Sequence, residues 1–424
     1  MHDVRLVRER LGDLREAMRR REALEALGPQ LDRCESLERE RRLLIQAVEE
    51  RKAARNASSQ EVARRKRAGE PADDLITAGR ALGEEIARLE QELGDAEGQL
   101  AAILLEVPNV TAPDVPAGDE SRNVIERTWG DPRPSAGVRP HWEIAAEHRL
   151  FDLERASKIS GSGFAVFRGA GARLARALLN FFLDSHTRDH GYEEVWPPVL
   201  VNRASMTGTG QLPKFADDAY KIEGDELYLI PTAEVPVTNL YRDEILDASD
   251  LPKAFCAYTP CFRREAGSAG KDTRGVLRMH QFDKVELVRY CTPEQSDAEL
   301  TTLLGHAESM LQQLELPYRV KLLAAGDTGF SSAKTYDLEA WAPGVGAWLE
   351  VSSCSTFTDF QARRANSRFR PARGEKPRFV HTLNGSGLAF PRTIACLIEH
   401  HQQSDGTVVV PDALRPYVGS DRIG

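Results

Sequence analysis

Leu82, Ile86, Leu89, Leu93, Ala96, Leu100 and Ile103 recur at alternating steps of four and three. That period is the a/d seam of a coiled coil, and a segment carrying it needs a long helix packed on a partner helix. Residues 31–67, just upstream, hold a poorer seam of Leu37, Leu44 and Val48 followed by mostly polar positions. Gly69-Glu70-Pro71 between the two stretches makes a turn that a helix does not run through. With Pro29 and Pro71 as punctuation, the pattern predicts two antiparallel helices forming an arm. About 35 residues at ~1.5 Å each reach roughly 50 Å.

The composition changes near residue 107. The arm is almost free of proline and aromatic residues, whereas Pro108, Pro113, Pro116, Pro132, Pro134 and Pro140 mark a linker and an extended lead into a second domain. The predicted division is therefore 1–106 and 107–424. An amphipathic helix is expected over Arg173–Arg188, with Leu174, Leu178, Phe181 and Phe182 on its apolar side. Strand-like runs follow at 227–230, 276–288, 348–352 and 378–383, and a last helix at about 392–402. The expected class is α+β, an antiparallel sheet flanked by helices. His400 and His401, at the end of the last helix, suit its C-terminal dipole.

With 424 residues, 41% of them hydrophobic, the chain has material for a large core and one further module. Its net charge of −9 excludes a basic nucleic-acid coat, so any RNA contact must be local. One locally basic stretch exists. Arg51, Lys52, Arg55, Arg64, Arg65, Lys66 and Arg67 stand against the single acid Glu61 near the tip of the arm. They read either as a solvated helix face or as a finger that tracks phosphates. The six cysteines form no C-x-x-C pair, which argues against a disulfide framework or zinc knuckle and suits a reducing compartment. Met1–Arg10 lacks an apolar signal region and no run of 18 apolar residues occurs, so a soluble cytoplasmic protein is expected.

Four segments carry chemistry. Phe262-Arg-Arg-Glu265, then Gly267, Gly270 and Gly275, then Arg278 to Glu286 read as strand, polar loop, strand. An arginine at a strand end, Arg263, grips an anionic oxygen through paired hydrogen bonds. Glu265, two positions on and on the same face, accepts from an amine such as that of adenine, and Phe282 offers a ring for stacking. A surface hairpin laced with ion pairs is the plainer reading. Leu383 to Arg392 reads as a glycine-rich strand-to-helix turn whose N–H groups and Arg392 suit an anion. Thr232 and Glu234 point to one side if their backbone is extended, and the carboxylate suits an ammonium group. Glu350 and Ser353 supply oxygen donors for a hard cation such as Mg²⁺.

In this order the segments resemble the seryl-tRNA synthetase family along the whole chain. Gly191-Tyr-Glu-Glu-Val-Trp-Pro-Pro198 resembles class II motif 1, residues 262–286 motif 2 and residues 385–392 motif 3. Thr232-Ala233-Glu234 is similar to the family's serine loop, and residues 208–216 and 359–366 look like further signatures. The resemblance implies a class II ligase that activates serine with ATP and passes it to tRNA(Ser), and it admits selenocysteine tRNA as a second acceptor. It implies Arg263 on the serine carboxylate and α-phosphate, Arg392 on the γ-phosphate, and Glu265 and Phe282 on adenine with Arg264 beside them. Glu350 and Ser353 would hold Mg²⁺, with Val351 and Ser352 lining the nucleotide. Thr232, Ala233, Glu234, Glu286, Asn384 and Ser386 would join Arg263 around serine. Lys271 and Arg274 would touch the tRNA acceptor end, the basic arm the tRNA body, and motif 1 would pair two subunits in a homodimer. Pro391, Phe390 and Thr356 depart from the pattern. Competing readings are a binding protein on a dead synthetase shell, a ligase loading a carrier protein, and a synthetase for another amino acid.

Overall fold

A computed structural model of the chain describes residues 1–266 and 274–424. Met1–Pro108 form one compact unit and Asn109–Gly424 another.

The first unit is helical: α1 spans Val4–Arg20, α2 Leu24–Ala68 and α3 Asp73–Glu106. The heptad reading did not include α1. It starts at Asp3, whose carboxylate accepts from the Arg5 N–H at 2.8 Å, and it meets α2 through the Arg15–Asp32 ion pair. Helix α2 begins earlier than the sequence suggested and encloses Pro29 rather than starting after it. The hydrogen bond lost there is offset by the burial of Leu31 and Cys34 just beyond, both 0% exposed. Gly69 ends α2 at φ 68°, a left-handed cap that glycine adopts without a Cβ penalty. Across the pair, Leu37, Leu44 and Val48 pack with Leu89, Ala96 and Leu100. The ion pairs Arg41–Glu97, Arg51–Glu85, Lys52–Glu90 and Arg65–Asp74 fix the antiparallel direction. They also correct the reading of the tip as a block of free cations. Arg51, Lys52, Arg64 and Arg65 all engage acids, while Arg55, Lys66 and Arg67 take no side-chain partner among the described residues.

The second unit is built on eight strands: β1 Val124–Trp129, β2 Glu193–Glu194, β3 Lys253–Phe262, β4 Gln281–Cys291, β5 Tyr318–Leu322, β6 Lys334–Ala342, β7 Ala347–Thr358 and β8 His381–Ala389. They lie in the order β1-β5-β6-β7-β8-β4-β3-β2. Every neighbouring pair is antiparallel except the short edge strand β2, which runs parallel to β3. The helices that matter to the site are α4 Ala170–Arg188, α5 Glu234–Thr238, α6 Ser296–Gln313, α7 Phe360–Ala365 and α8 Phe390–His401. Leu178 and Phe182 of α4, Leu303 and Leu311 of α6, and Ile394 and Ile398 of α8 cover one face of the sheet in a single apolar core. Strand alternation then decides what the other face carries. Along β4, Val285, Leu287 and Cys291 belong to that core, while Lys284 and Glu286 point the opposite way and Phe282, at the strand's start, touches the core's edge and borders the smaller cavity.

At the end of α8, burial pushes His400 down to about 4, so it is neutral and brings no charge to the helix terminus. The dipole reading is replaced by packing, with His401 Nε2 bonded to the Leu314 carbonyl at 3.0 Å. No described helix is long and apolar enough to cross a membrane.

Candidate active site

Strands β3 and β4 pair as far as Phe262 opposite Gln281, and the Arg263 N–H adds a last rung to the His280 carbonyl at 2.9 Å. The Arg263 guanidinium donates from Nε to the Pro231 carbonyl at 3.3 Å and lies 5.1 Å over the Phe282 ring. Glu265 is not placed by strand alternation. Its φ of 52° turns the backbone out of the strand, and its carboxylate pairs with Arg278. Arg264 is tied through its N–H to the Asp218 carbonyl at 3.0 Å and does not border the cleft. Arg274 is exposed, and Lys271, Gly267 and Gly270 lie outside the described residues.

The free face of the sheet floors a cleft of about 710 Å³. A second cavity of about 210 Å³ shares Arg263, Glu265, Lys284 and Glu350 with it and adds Phe282, Val351 and Arg392. Arg263 and Arg392 thus border one continuous space.

At the large end lie Thr232, Glu234, Glu286, Asn384 and Ser386. The expected extended backbone at 232–234 is not what unites the first two. Ala233 sits at φ −64°, ψ −16°, Glu234 opens α5, and Thr232 Oγ1 accepts the Glu234 N–H at 3.2 Å. Ala233 turns away and packs with Val237, Phe255 and Tyr290. Burial pushes the Glu234 carboxyl up to about 7, and the nearby Glu286 adds to the rise. Its Oε1 accepts from Gln361 Nε2 at 2.6 Å. Glu286, 1% exposed, accepts from Asn384 Nδ2 at 2.8 Å and pairs with Lys284.

Glu350 and Ser353 have opposite parity along β7, yet both face the cleft. A bulge explains this: Glu350 pairs with Glu339 and Ser352 with Leu338, so Val351 is the extra residue and the alternation switches there. Val351 borders the smaller cavity, but Ser352 does not, since its hydroxyl donates to the Ser386 carbonyl at 2.7 Å from a fully buried position. Glu350 and Ser353 are hard oxygen donors on the cleft wall. Opposite Ser353 across the strands, the buried Asp337 keeps an Oδ1 without a hydrogen-bond partner but lines neither cavity, so the oxygen donors that would suit Mg²⁺ on the cleft wall are those of Glu350 and Ser353. Arg392 donates from Nη1 to the Glu350 carbonyl at 2.8 Å and from Nε to the Leu277 carbonyl at 3.2 Å.

The glycine-rich segment before Arg392 is strand, not turn. β8 continues to Ala389 and holds Gly385 and Gly387 within it, with a register irregularity against β4 between Ser386 and Ala389. Pro391 falls in the first turn of α8, where the missing N–H has no helical partner to lose. Lys284, Arg278 and Gln361 were missed from the sequence. The first was legible, because the alternation that selects Phe282 and Glu286 also selects the residue between them.

The family model described as tRNA synthetase class II core domain (G, H, P, S and T) matches residues 218–401, and that of the seryl-tRNA synthetase N-terminal domain matches residues 1–111. The serine–tRNA ligase of Gemmatimonas aurantiaca is 65% identical over 420 residues, covering 99% of each chain. The crystal structure of seryl-tRNA synthetase from Pyrococcus horikoshii complexed with ATP superposes with a TM-score of 0.95 at 38% identity, covering 100% of this chain and 99% of that one. The cytoplasmic enzyme from Naegleria fowleri, in complex with AMP, gives 0.89 at 29%, covering 100% and 98%. Two long packed helices, an antiparallel sheet with an anion-ready cleft, and relatives matched from end to end agree: the chain belongs to the seryl-tRNA synthetase family of class II ligases.

Proposed function

We propose that the cleft joins serine to ATP and then hands the seryl group to tRNA(Ser). The observation that carries the reading is the position of Arg263. It borders both the end holding the buried carboxylates Glu234 and Glu286 and the end holding Phe282 and Arg392. An amino acid's ammonium fits the first end, a triphosphate and base the second, and the guanidinium stands where carboxylate and α-phosphate must meet.

In the first step a serine carboxylate oxygen attacks the α-phosphorus and pyrophosphate leaves. In the second a ribose hydroxyl of the tRNA attacks the activated carbonyl and AMP leaves. Neither step needs a covalent nucleophile from the protein, so positioning and charge stabilisation carry the rate. Arg263 holds the carboxylate against the α-phosphate, and Arg392 takes the γ-phosphate. The base stacks on the face of Phe282 that Arg263 leaves free, with its amine toward Glu265. Glu350 and Ser353 would hold Mg²⁺, which when bound neutralises phosphate charge. Thr232, Glu286, Asn384 and Ser386 complete the serine pocket. A pocket built to bond the hydroxyl rejects alanine by roughly 10⁴–10⁵, because its own polar groups would go unpaired.

The arm's Arg55, Lys66 and Arg67 contact tRNA phosphates, and Arg274 the acceptor end. A second copy of the chain covers Trp196, 78% exposed, next to the edge strand β2. The six cysteines, all buried and free, suit the reducing cytoplasm.

Pyrophosphate exchange measured with each of the twenty amino acids tests the reading. Serine alone should support exchange without tRNA, and Arg263→Ala should lower it by about 10² or more, the usual loss for one charge-stabilising donor. Full exchange in that variant overturns the assignment.

A further inference from the structure

Gln361 lies in α7 at 0% exposure, and no role given so far uses it. Its amide is fully engaged. Nε2 donates to Glu234 Oε1 at 2.6 Å and to the Thr209 carbonyl at 3.3 Å, and Oε1 accepts from the Thr382 hydroxyl at 2.8 Å. The orientation is settled by chemistry: a backbone carbonyl only accepts, so the amide nitrogen must face Thr209 and the oxygen must turn to Thr382. A flipped amide would set two acceptors against each other at both Thr209 and Glu234. The network joins the cleft-wall segment at Thr209, the serine loop, α7 and β8 behind a single carboxylate.

We propose that Gln361 is a positioning residue for amino-acid recognition. Its amide fixes one oxygen of Glu234 and keeps the carboxylate anionic, which leaves the second oxygen for the ammonium or hydroxyl of the substrate. The inference rests on the reading that Glu234 receives serine. An amide can donate to a carboxylate but cannot ionise, so it favours the charged form without competing for a proton. The groups facing Glu234 pull in both directions. Burial and Glu286 on β4 favour protonation, whereas Gln361 leads the opposing influences, ahead of Lys284 on β4 and Arg263 at the end of β3. Glu234, pushed up to about 7, therefore sits where loss of one donor removes its charge at neutral pH.

Gln361→Met keeps length and bulk and deletes the amide. In pyrophosphate exchange at pH 7 the serine KM should rise roughly 10- to 100-fold, the worth of a hydrogen bond to a charged group, with the ATP KM and kcat nearly unchanged. The penalty should shrink as the pH is raised to about 8.5, because Glu234 then ionises without help. A penalty equal at every pH, or one spread over ATP and kcat, would mean a structural role and overturn the proposal. Should Gln361→Met fold poorly, Thr382→Val removes only the hydroxyl that orients the amide and should give a ~3-fold rise of the same pH shape; a flat profile there also overturns it. Glu234→Gln separates the two readings. An unchanged serine KM in that variant sinks the site assignment itself, whereas a raised KM there beside an unaffected Gln361→Met sinks only the role of Gln361.

Discussion

A Cβ at Gly385 would run into Leu303 Cδ2 and come within 2.9 Å of Cys354 Sγ, and one at Gly387 would lie 2.5 Å from His186 Nε2. All three neighbours are packed at 0% exposure, so none can retreat cheaply. Gly385→Ala should therefore destabilise the catalytic unit by about 1–3 kcal/mol, the usual cost of overpacking, read as a lower midpoint in urea denaturation. An unchanged midpoint would show that Leu303 yields more easily than its burial implies. The same two glycines mark a limit of reading residues from sequence. Their identity was plain, but a glycine that opens a turn and one that lets a helix approach a strand look alike in a string of letters. Glu265 and Thr232 repeat the point. Each was expected to share a face with its neighbour by way of an extended backbone; both border the cleft, but a positive φ aims the first and a helix start the second.

The arm was the most legible element, because a sustained heptad period has few other physical meanings. What escaped was where its charge goes. Counting cations along 51–67 ignores the acids that α3 brings alongside, and the count falls once Glu85, Glu90 and Asp74 have paired. Exposed pairs of this kind contribute little stability, but they do lower the charge offered to a phosphate. Two variants separate these effects. Arg55→Ala/Lys66→Ala/Arg67→Ala should lower kcat/KM for tRNA charging by ~10-fold or more and flatten its salt dependence by about one unit per lost contact, with pyrophosphate exchange intact. Arg51→Ala/Lys52→Ala should cost charging less, since those cations are already partly neutralised. Equal losses in both would mean that the ion pairs open when RNA binds. In the sheet, β3 and β4 were legible as a hairpin from their alternation. The bulge at Val351 was not, because it arises from a register shift against β6 that no local pattern records.

Across the whole molecule, buried titratable groups make opposing demands as the pH falls. Burial pushes His186 down to about 3 from an ordinary 6.5, with His190 adding to the fall, and burial likewise pushes His306 and His400 to about 4. These histidines stay neutral in the fold while the unfolded chain takes up protons. Their contribution to stability is full above pH 6.5 and is lost progressively from there toward pH 3–4. Glu234 works the other way. Raised from 4.5 to about 7, it binds its proton more readily when folded, so acidification between those values favours the fold. Burial also lowers His190, His381 and His401 and raises Asp283 and Asp337, so six histidines stand against three carboxyls and net stability should fall below pH 6.5. His186 makes the largest single demand, because it is fully buried between His190, at 3.0 Å, and the Gly387 carbonyl, at 3.4 Å. Its own share is on the order of a few kcal/mol over the window. His186→Phe deletes that titration and keeps the ring. The variant should melt lower than the parent at pH 7.5, where the lost hydrogen bonds tell, and its midpoint should drop less steeply between pH 6.5 and 4.5. Thermal melts across that range check both halves. Parallel curves would mean that His186 takes up its proton in the folded state as readily as in the unfolded one.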